Sequence, residues 1–487
     1  MMHNDTGYWI VRLLLQRGLG FIYLMAFLVA LNQFRPLCGE NGLLPAQYYM
    51  RLVPFREAPS IFYFLKGDRA YHLCAILGVI LSLLTVTGIS EQYGTAVSML
   101  VWFLLWVIYL SFVNIGQTFY AFGWESLLLE SGFLAMFLGP AATQPSAAVI
   151  WLFRWLAFRI MFGAGLIKLR GDECWRDLTC LDYHFESQPM PNPLSRFFHR
   201  LPASVHKAGV LFNHLAEVAL PILFFAPQPV AAVASAGCLL FLLSIIVSGN
   251  FAWLNWLTAI ICLSPLGGDR IAAWLSLEPP PFIPQPPLFQ ALTWGLVVLV
   301  AVRSVEPVRN LISKQQIMNT SFDPFHLVNT YGAFGSITRE RYEIVLEGTD
   351  EEKVTEETDW RAYEFRGKPG DPQRMPPFIA PYHLRLDWLM WFEAMPSMGG
   401  HSRWFIHLVI KLLQEDRQTL GLLSKNPFPH HPPRFIRALY YRYTYGKDKW
   451  WDRELVGDHL PPLSLEDNAL KLVLARYEKS IAPLLQS

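Results

Sequence analysis

A row of apolar runs, each near the length of a bilayer-spanning helix, fills the first 305 residues and restricts this chain more than any other feature. A hydrocarbon core about 30 Å thick needs about 20 apolar residues per helix. Spans are predicted near 10–31, 72–90, 96–115, 120–139, 147–168, 208–227, 230–248, 252–276 and 288–304. The first and the eighth carry the weakest signal. The eighth is interrupted by "SPLGGDR" at 264–270, with two short helices as the alternative reading. The predicted range is eight to ten spans. Trp102, Trp151, Trp155, Trp253 and Trp256 lie near span ends, where interfacial anchors belong. Arg12 and Arg17 precede an apolar run with no small-residue cleavage site after it, so the first span is expected to be the insertion signal.

Only 16% of the residues are charged, against about 25% in soluble domains. The net charge of +1 gives no bulk electrostatic basis for binding nucleic acid. From about residue 305 the composition turns polar, rich in Arg, Asp, Glu and Pro, without another membrane-length run. "RYEIVLEG" (341–348) alternates as a half-buried strand, with Tyr342, Ile344 and Leu346 on one face. "WRAYEFRG" (360–367) alternates again, and the acidic 349–359 between them reads as a hairpin tip. "LRLDWLMWFEAM" (384–395) and "RWFIHLVIKLLQ" (403–414) read as amphipathic helices. Ser464 with Asp467 is a loose capping box before Leu470, Val473, Leu474 and Tyr477. The expected fold is a membrane all-α helical bundle over 1–305, followed by a smaller polar α+β domain over 306–487. Long loops are expected at 32–71 and 169–207. A nine-span parity count puts both loops on the side of the C-terminal domain. Their Lys and Arg content would make that side cytoplasmic, although long folded loops translocate largely regardless of charge.

Charges inside spans are costly and mark pairing or function. Glu125 and Glu130 fall in the fourth span, Arg154 and Arg159 in the fifth with Lys168 at its end, and His214 and Glu217 on one face of the sixth. Two acids in one helix and two bases in the next predict interhelical ion pairs that lock the bundle. The functional alternative is a polar cavity for a lipid, a quinone or proton transfer. The "GAG" at 163–165 predicts close helix approach.

The loop after the fifth span, "GDECWRDLTCLDYHFESQPMPNP" (171–193), concentrates chemistry-bearing residues. Cys174, Cys180 and His184 are spaced like none of the usual structural zinc sites, so no metal is assigned. The spacing is also looser than that of a C-x-x-C redox pair. A structural disulfide requires an oxidising compartment; otherwise these are two thiols. Cys74, Cys238 and Cys262 fall in apolar runs, while Cys38 is expected in a loop. His184 and Glu186 would share one side of an extended chain. The chain contains no G-x-S-x-G, H-E-x-x-H, P-loop or dinucleotide fingerprint, which lowers the expectation of a hydrolase, metalloprotease or NTPase.

Several long blocks resemble the signature of the lipase maturation factor family. They are "GAGLIKLRGDECWRDLTCLDYHFESQPMPNP" (163–193), "SGNFAWLNWLTAI" (248–260), "NTSFDPFHLVNTYGAFGSITRERYEIVLEGT" (319–349), "YEFRGKPGDPQRMPPFIAPYHLRLDWLMWF" (363–392) and "NPFPHHPPRFIRALYYRY" (426–443). The resemblance spans nearly the whole chain. It implies a multipass, chaperone-like membrane protein that assists folding, assembly and secretion of lipases or other exported proteins, with no catalytic residue and no cofactor. It also implies an endoplasmic reticulum membrane location with the C-terminal domain luminal, or the inner membrane with that domain periplasmic in a bacterial member. Expected partners are membrane lipids and a secreted client, with Trp175, Trp388, Trp391 and Phe392 as candidate client contacts. The family's Cys-containing segment before "KPGDP" reads "RGKPGDP" here, which excludes a disulfide at 366–367. The membrane half also looks somewhat like the transmembrane module of vitamin K-dependent carboxylases. The alternative is therefore a membrane enzyme acting on a lipid or a protein side chain, with Lys168 as base and His184, Glu125 and Arg159 around it.

Overall fold

The computed structural model describes residues 5–268, 271–272, 276–395, 401–468 and 470–472. Among these, seven helical segments are long and apolar enough to cross a membrane: Trp9–Cys38, Asp68–Thr87, Thr95–Ile115, Ala147–Arg170, Ala203–Phe225, Val230–Ser248 and Pro287–Ile312. The chain is a multipass membrane protein. Two shorter helices, Gly123–Ala135 and Leu254–Ile261, lie at the predicted fourth and eighth spans. In chain order we label α1 (Trp9–Cys38), α2 (Asp68–Thr87), α3 (Thr95–Ile115), α4 (Gly123–Ala135), α5 (Ala147–Arg170), α6 (Ala203–His214), α7 (Val230–Ser248), α8 (Leu254–Ile261) and α9 (Pro287–Arg303). α6 runs on through a π-helical turn, Leu215–Ala219, and a 3-10 turn, Leu220–Phe225.

Polar contacts sort the loops between two ends of the bundle. At one end Arg12 donates to the carbonyls of Thr143 and Ala141, Arg17 pairs with Glu91, Thr143 bridges Ile283, and Gln228 donates to Pro265 O. At the other end Arg35 pairs with Asp68, and Asn114 donates to Pro59 O and Pro324 O. There Asn250 also donates to the carbonyls of Pro191 and Pro377. α4 and α8 therefore each carry the chain from one end to the other, although the 13 residues of α4 rise only about 20 Å. Counting both, 32–71, 169–207 and the C-terminal region share one end. A length criterion alone misses α4 and α8 because short helices buried among neighbours need not match the bilayer by themselves.

Local chemistry fixes the element ends. α2 stops at Gly88, whose φ of 82° is the left-handed conformation of a helix C-cap. In α5, a Cβ on Gly163 would lie 2.4 Å from the Tyr331 carbonyl oxygen, and one on Gly165 would lie 2.9 Å from that of Glu217. The "GAG" thus lets α5 touch both the C-terminal region and the turn after α6. Cys38 closes α1 instead of lying in a loop, and with Cys74, Cys238 and Cys262 it is a buried free thiol.

The C-terminal region carries a four-stranded antiparallel sheet in the order β2-β1-β3-β4, where β1 is Arg341–Thr349, β2 Arg361–Ala362, β3 Phe435–Tyr445 and β4 Trp451–Leu463. The predicted hairpin exists, but its second arm is only two residues long. β1 is buried on both faces, not one. Arg341 and Glu343 are within 1% of full burial beside Ile344 and Leu346. Their charges are neutralised locally, because Glu343 pairs with Arg341 at 2.5 Å and with Lys368 at 2.9 Å. Helices α10 (Arg385–Glu393) and α11 (Arg403–Leu413) form as predicted. Asp467 accepts from the Ser464 N–H; of the helix expected beyond it, Val473, Leu474 and Tyr477 lie outside the described residues.

Candidate functional site

A cavity of about 560 Å³ lies where α5, the α6 segment, α7, the 171–193 loop and the C-terminal region meet. That is the size range of small-molecule sites. Its wall is mainly apolar, with the aromatic Phe241, Trp388, Trp391 and Phe392 among its members, and its polar groups include Lys168, Asn213, Glu217 and His184. The Lys168 Nζ donates to Glu217 Oε1 at 2.7 Å and to Asn213 Oδ1 at 2.8 Å, and Asn213 donates to the other Glu217 oxygen at 3.1 Å. The ammonium also stands 4.8 Å from the centre of the Trp175 ring. Lys168 is thus held between two polar side chains and an aromatic face.

His184 lines the same cavity, 6.0 Å from the Phe251 ring. Burial, and then the Lys168 charge, push its imidazole down to about 4, so the ring is neutral. His184 and Glu186 do not share a side as predicted, because Cys180–Ser187 is helical, not extended. Glu186 instead accepts the Tyr445 N–H on β3 at 2.6 Å. Cys174 and Cys180 are joined in a disulfide, both buried, with Trp175, Val210 and Ile337 packed around them. Asp172 caps the short helix Glu173–Arg176 by accepting the Cys174 N–H, and pairs with Arg339 at 2.7 Å. The loop's end is gripped by Arg341, which donates to Gln188 O, Pro189 O and Glu186 O. The 171–193 loop is therefore a rigid bracket between the bundle and the sheet.

The predicted ion pairs form only in part. Arg159 pairs with Glu130, and both are 1% exposed. Arg154 does not meet Glu125. α4 and α5 run antiparallel, so stepping back from Glu130 to Glu125 moves away from Arg154 toward the far end of α5. Arg154 instead donates to Ser264 O and Phe224 O and lies over the Trp151 ring. His214 turns from Glu217 to the Trp175 carbonyl across the π-helical turn. Glu125 takes a partner the sequence reading missed. Arg385, fully buried at the start of α10, donates to it at 2.8 Å. Glu130 likewise accepts from the C-terminal segment, namely the Asn329 N–H (2.9 Å), its side-chain amide (3.0 Å) and the Tyr331 hydroxyl (2.7 Å). The two acids of α4 are the clamp that holds the C-terminal region on the bundle. Of the four residues considered for catalysis, Lys168 and His184 line the cavity, while Glu125 and Arg159 belong to this clamp. Trp175 and Trp388, considered as client contacts, are 3% and 4% exposed, and Trp391 and Phe392 border the cavity.

His383 sits in the clamp, fully buried, with its Nδ1 3.4 Å from the Trp124 indole nitrogen. Burial and the Arg385 charge, opposed by Glu125, push it from 6.5 down to about 4. Its folded value is below its unfolded one, so the stability its neutral form supplies is complete above pH 6.5 and lost as pH falls through 4. The loss is on the order of 3 kcal/mol. Unfolding midpoints measured from pH 7.5 to 4 should therefore fall less steeply in His383→Gln, whose amide can still accept from Trp124. Identical slopes in both proteins would refute this assignment.

Two family models match the chain: "Lipase maturation factor transmembrane domain" over residues 10–273 and "Lipase maturation factor C-terminal domain" over 327–461. Lipase maturation factor 1 of Bos taurus is 42% identical over 94% of this chain and 90% of its own length. The Homo sapiens protein of that name is 41% identical over 96% of this chain and 90% of its own length. Lipase maturation factor 2 of Xenopus laevis is 28% identical over 94% and 83%. No solved structure matches. The carboxylase-like alternative finds no support in these matches. With matches over both the bundle and the clamped C-terminal region, the chain belongs to the lipase maturation factor family.

Proposed function

We propose that this protein is a chaperone-like maturation factor that assists the folding, assembly and secretion of a lipase or another exported protein. It acts from the endoplasmic reticulum membrane in a eukaryote, with the C-terminal region luminal, or from the inner membrane in a bacterium. The observation that carries the reading is the apolar cavity, whose walls come from the bundle, the bracket loop and the C-terminal region at once, and whose Lys168 is paired with Glu217. Such a site holds an apolar segment of an unfinished client, or the acyl chains of a membrane lipid, without reacting with it. The buried Cys174–Cys180 disulfide supports the oxidising compartment, since such bonds persist outside the reducing cytosol.

The test is secretion of active lipase from cells lacking the endogenous factor. Ala164 lines the cavity, and Ala164→Phe should fill it. Secretion is expected to fall several-fold at unchanged protein level. Lys168→Ala strands Glu217 and should lower both level and secretion, by about 3–5 kcal/mol of stability. The double variant Lys168→Leu, Glu217→Leu, which removes both charges, should restore level. Cys174→Ser with Cys180→Ser should loosen the bracket and reduce secretion. Full secretion from all four variants would refute a role for this cavity in maturation.

A further inference from the structure

Glu393, His401 and His459 meet beside the edge strand of the C-terminal sheet and come from three separate elements. Glu393 ends α10, His401 lies just before α11, and His459 is on the edge strand β4. One ligand atom from each lies within 4.8 Å of the other two. Nδ1 of His401 is 3.3 Å from Nε2 of His459, and that nitrogen is 3.6 Å from Oε1 of Glu393. A tetrahedral zinc ion with ligand bonds of about 2.0 Å spaces neighbouring ligand atoms by about 3.3 Å. Both separations are close to such an edge.

A second, independent observation points to a ligand here. Glu393 is 3% exposed, and while Oε1, the oxygen beside His459, accepts the Ser402 N–H at 3.0 Å, its Oε2 has no hydrogen-bond partner. A buried carboxylate oxygen without a donor is costly, and a cation held by the carboxylate offsets that cost. Two facing imidazole nitrogens can share at most one proton between them, whereas both lone pairs can point at one metal. Aromatic rings back the cluster. Phe405 is 5.9 Å from the His401 ring and 5.2 Å from that of His459, and Tyr440 stacks on His459 at 6.2 Å. Such a shell orients ligands and keeps the local dielectric low. His401 is exposed and His459 partly so, which leaves the ion a path from solvent.

We propose that Glu393, His401 and His459 bind one Zn²⁺ ion that staples the α10–α11 pair to the edge strand β4, with a fourth position open to water. Two imidazoles and a carboxylate are a donor set that suits zinc, and three protein ligands with an open position give it four-coordinate geometry. The ion would hold the last strand of the sheet, whose outer edge has no neighbouring strand among the described residues.

The experiment uses the full-length, tag-free chain in detergent, stripped with a chelator and titrated with Zn²⁺ alone. Expected is one equivalent bound per chain, a rise of several degrees in the unfolding midpoint, and visible absorption bands of four-coordinate cobalt when Co²⁺ replaces Zn²⁺. His401→Ala, at an exposed position outside any helix or strand, should fold normally and bind at least tenfold more weakly. His459→Ala should do the same and lose the cobalt bands. Equal zinc affinity in the wild type and both variants would overturn the proposal. So would a wild type with neither a zinc-dependent midpoint nor cobalt bands.

Discussion

Arg385→Ala is expected to destabilise the folded chain by about 3–5 kcal/mol, the range found when one partner of a buried ion pair is removed. Arg385 is fully buried and spends its guanidinium on the Glu125 carboxylate, the Phe119 carbonyl at 2.6 Å and the face of the Tyr120 ring. Alanine leaves Glu125 charged among apolar walls, with Tyr109 as its remaining close donor. The backbone around Arg385 is zipped to α1 as well. Gln33 accepts the Arg385 N–H at 3.0 Å and donates to the His383 carbonyl at 2.8 Å. The loss should therefore appear as undocking of the C-terminal region before the bundle melts. Limited proteolysis between 313 and 340 should accelerate while α1–α3 stay protected. Arg385→Lys should recover only part of the stability, because an ammonium cannot serve Glu125, Phe119 and the Tyr120 face with one planar fork. The double variant Arg385→Leu, Glu125→Leu should be less damaged than Arg385→Ala. If Arg385→Ala melts within about 1 kcal/mol of the wild type, the pair is not what holds the two regions together.

How much of this was legible in the sequence depended on the range of the interaction concerned. Apolar runs report their own burial, so the span positions could be read directly, including α4, which is too short to qualify by length alone. The charged positions could also be read, because Glu125, Glu130 and Arg159 have no reason to lie in apolar helices without partners. The partners themselves could not. Nothing local says that Glu125 meets a residue 260 positions away instead of the Arg of the adjacent helix. The one available signal was the antiparallel register of α4 and α5, which already forbids Glu125–Arg154 once Glu130–Arg159 is accepted. β3 and β4 escaped the alternation test for a different reason. Register shifts interrupt their pairing near Ala438 and Tyr440, so the period of two breaks. Pro461 and Pro462 argue against a strand until β4 is known to be an edge strand, where a missing N–H costs no ladder bond. The metal-like triad was invisible because its ligands are brought together by the sheet, not by spacing.

Glu130→Ala is expected to do more damage than Arg159→Ala, and the asymmetry tests the clamp most directly. Arg159→Ala removes one donor from Glu130. The Asn329 N–H, the Asn329 amide and the Tyr331 hydroxyl still converge on that carboxylate, so its charge stays partly compensated. Glu130→Ala strands all of these donors together with a guanidinium that is 1% exposed and keeps only the Asn329 carbonyl, at 2.6 Å, and the Trp155 face. Each buried group left unsatisfied costs about 1–3 kcal/mol, more when charged. The expected loss is about 3 kcal/mol for Arg159→Ala and at least about 5 kcal/mol for Glu130→Ala. Glu130→Gln should fall between them, because the amide oxygen keeps some of the donors while its charge is gone. Equilibrium unfolding in detergent gives the three values. The same asymmetry should appear in lipase secretion, since the segment that Glu130 anchors also carries Phe334 and Gly335, which line the cavity. Equal losses for Arg159→Ala and Glu130→Ala would mean that only the interhelical pair matters. Glu130 would then be an ordinary bundle residue, and the docking of the C-terminal region on α4 would rest on Glu125 and Arg385.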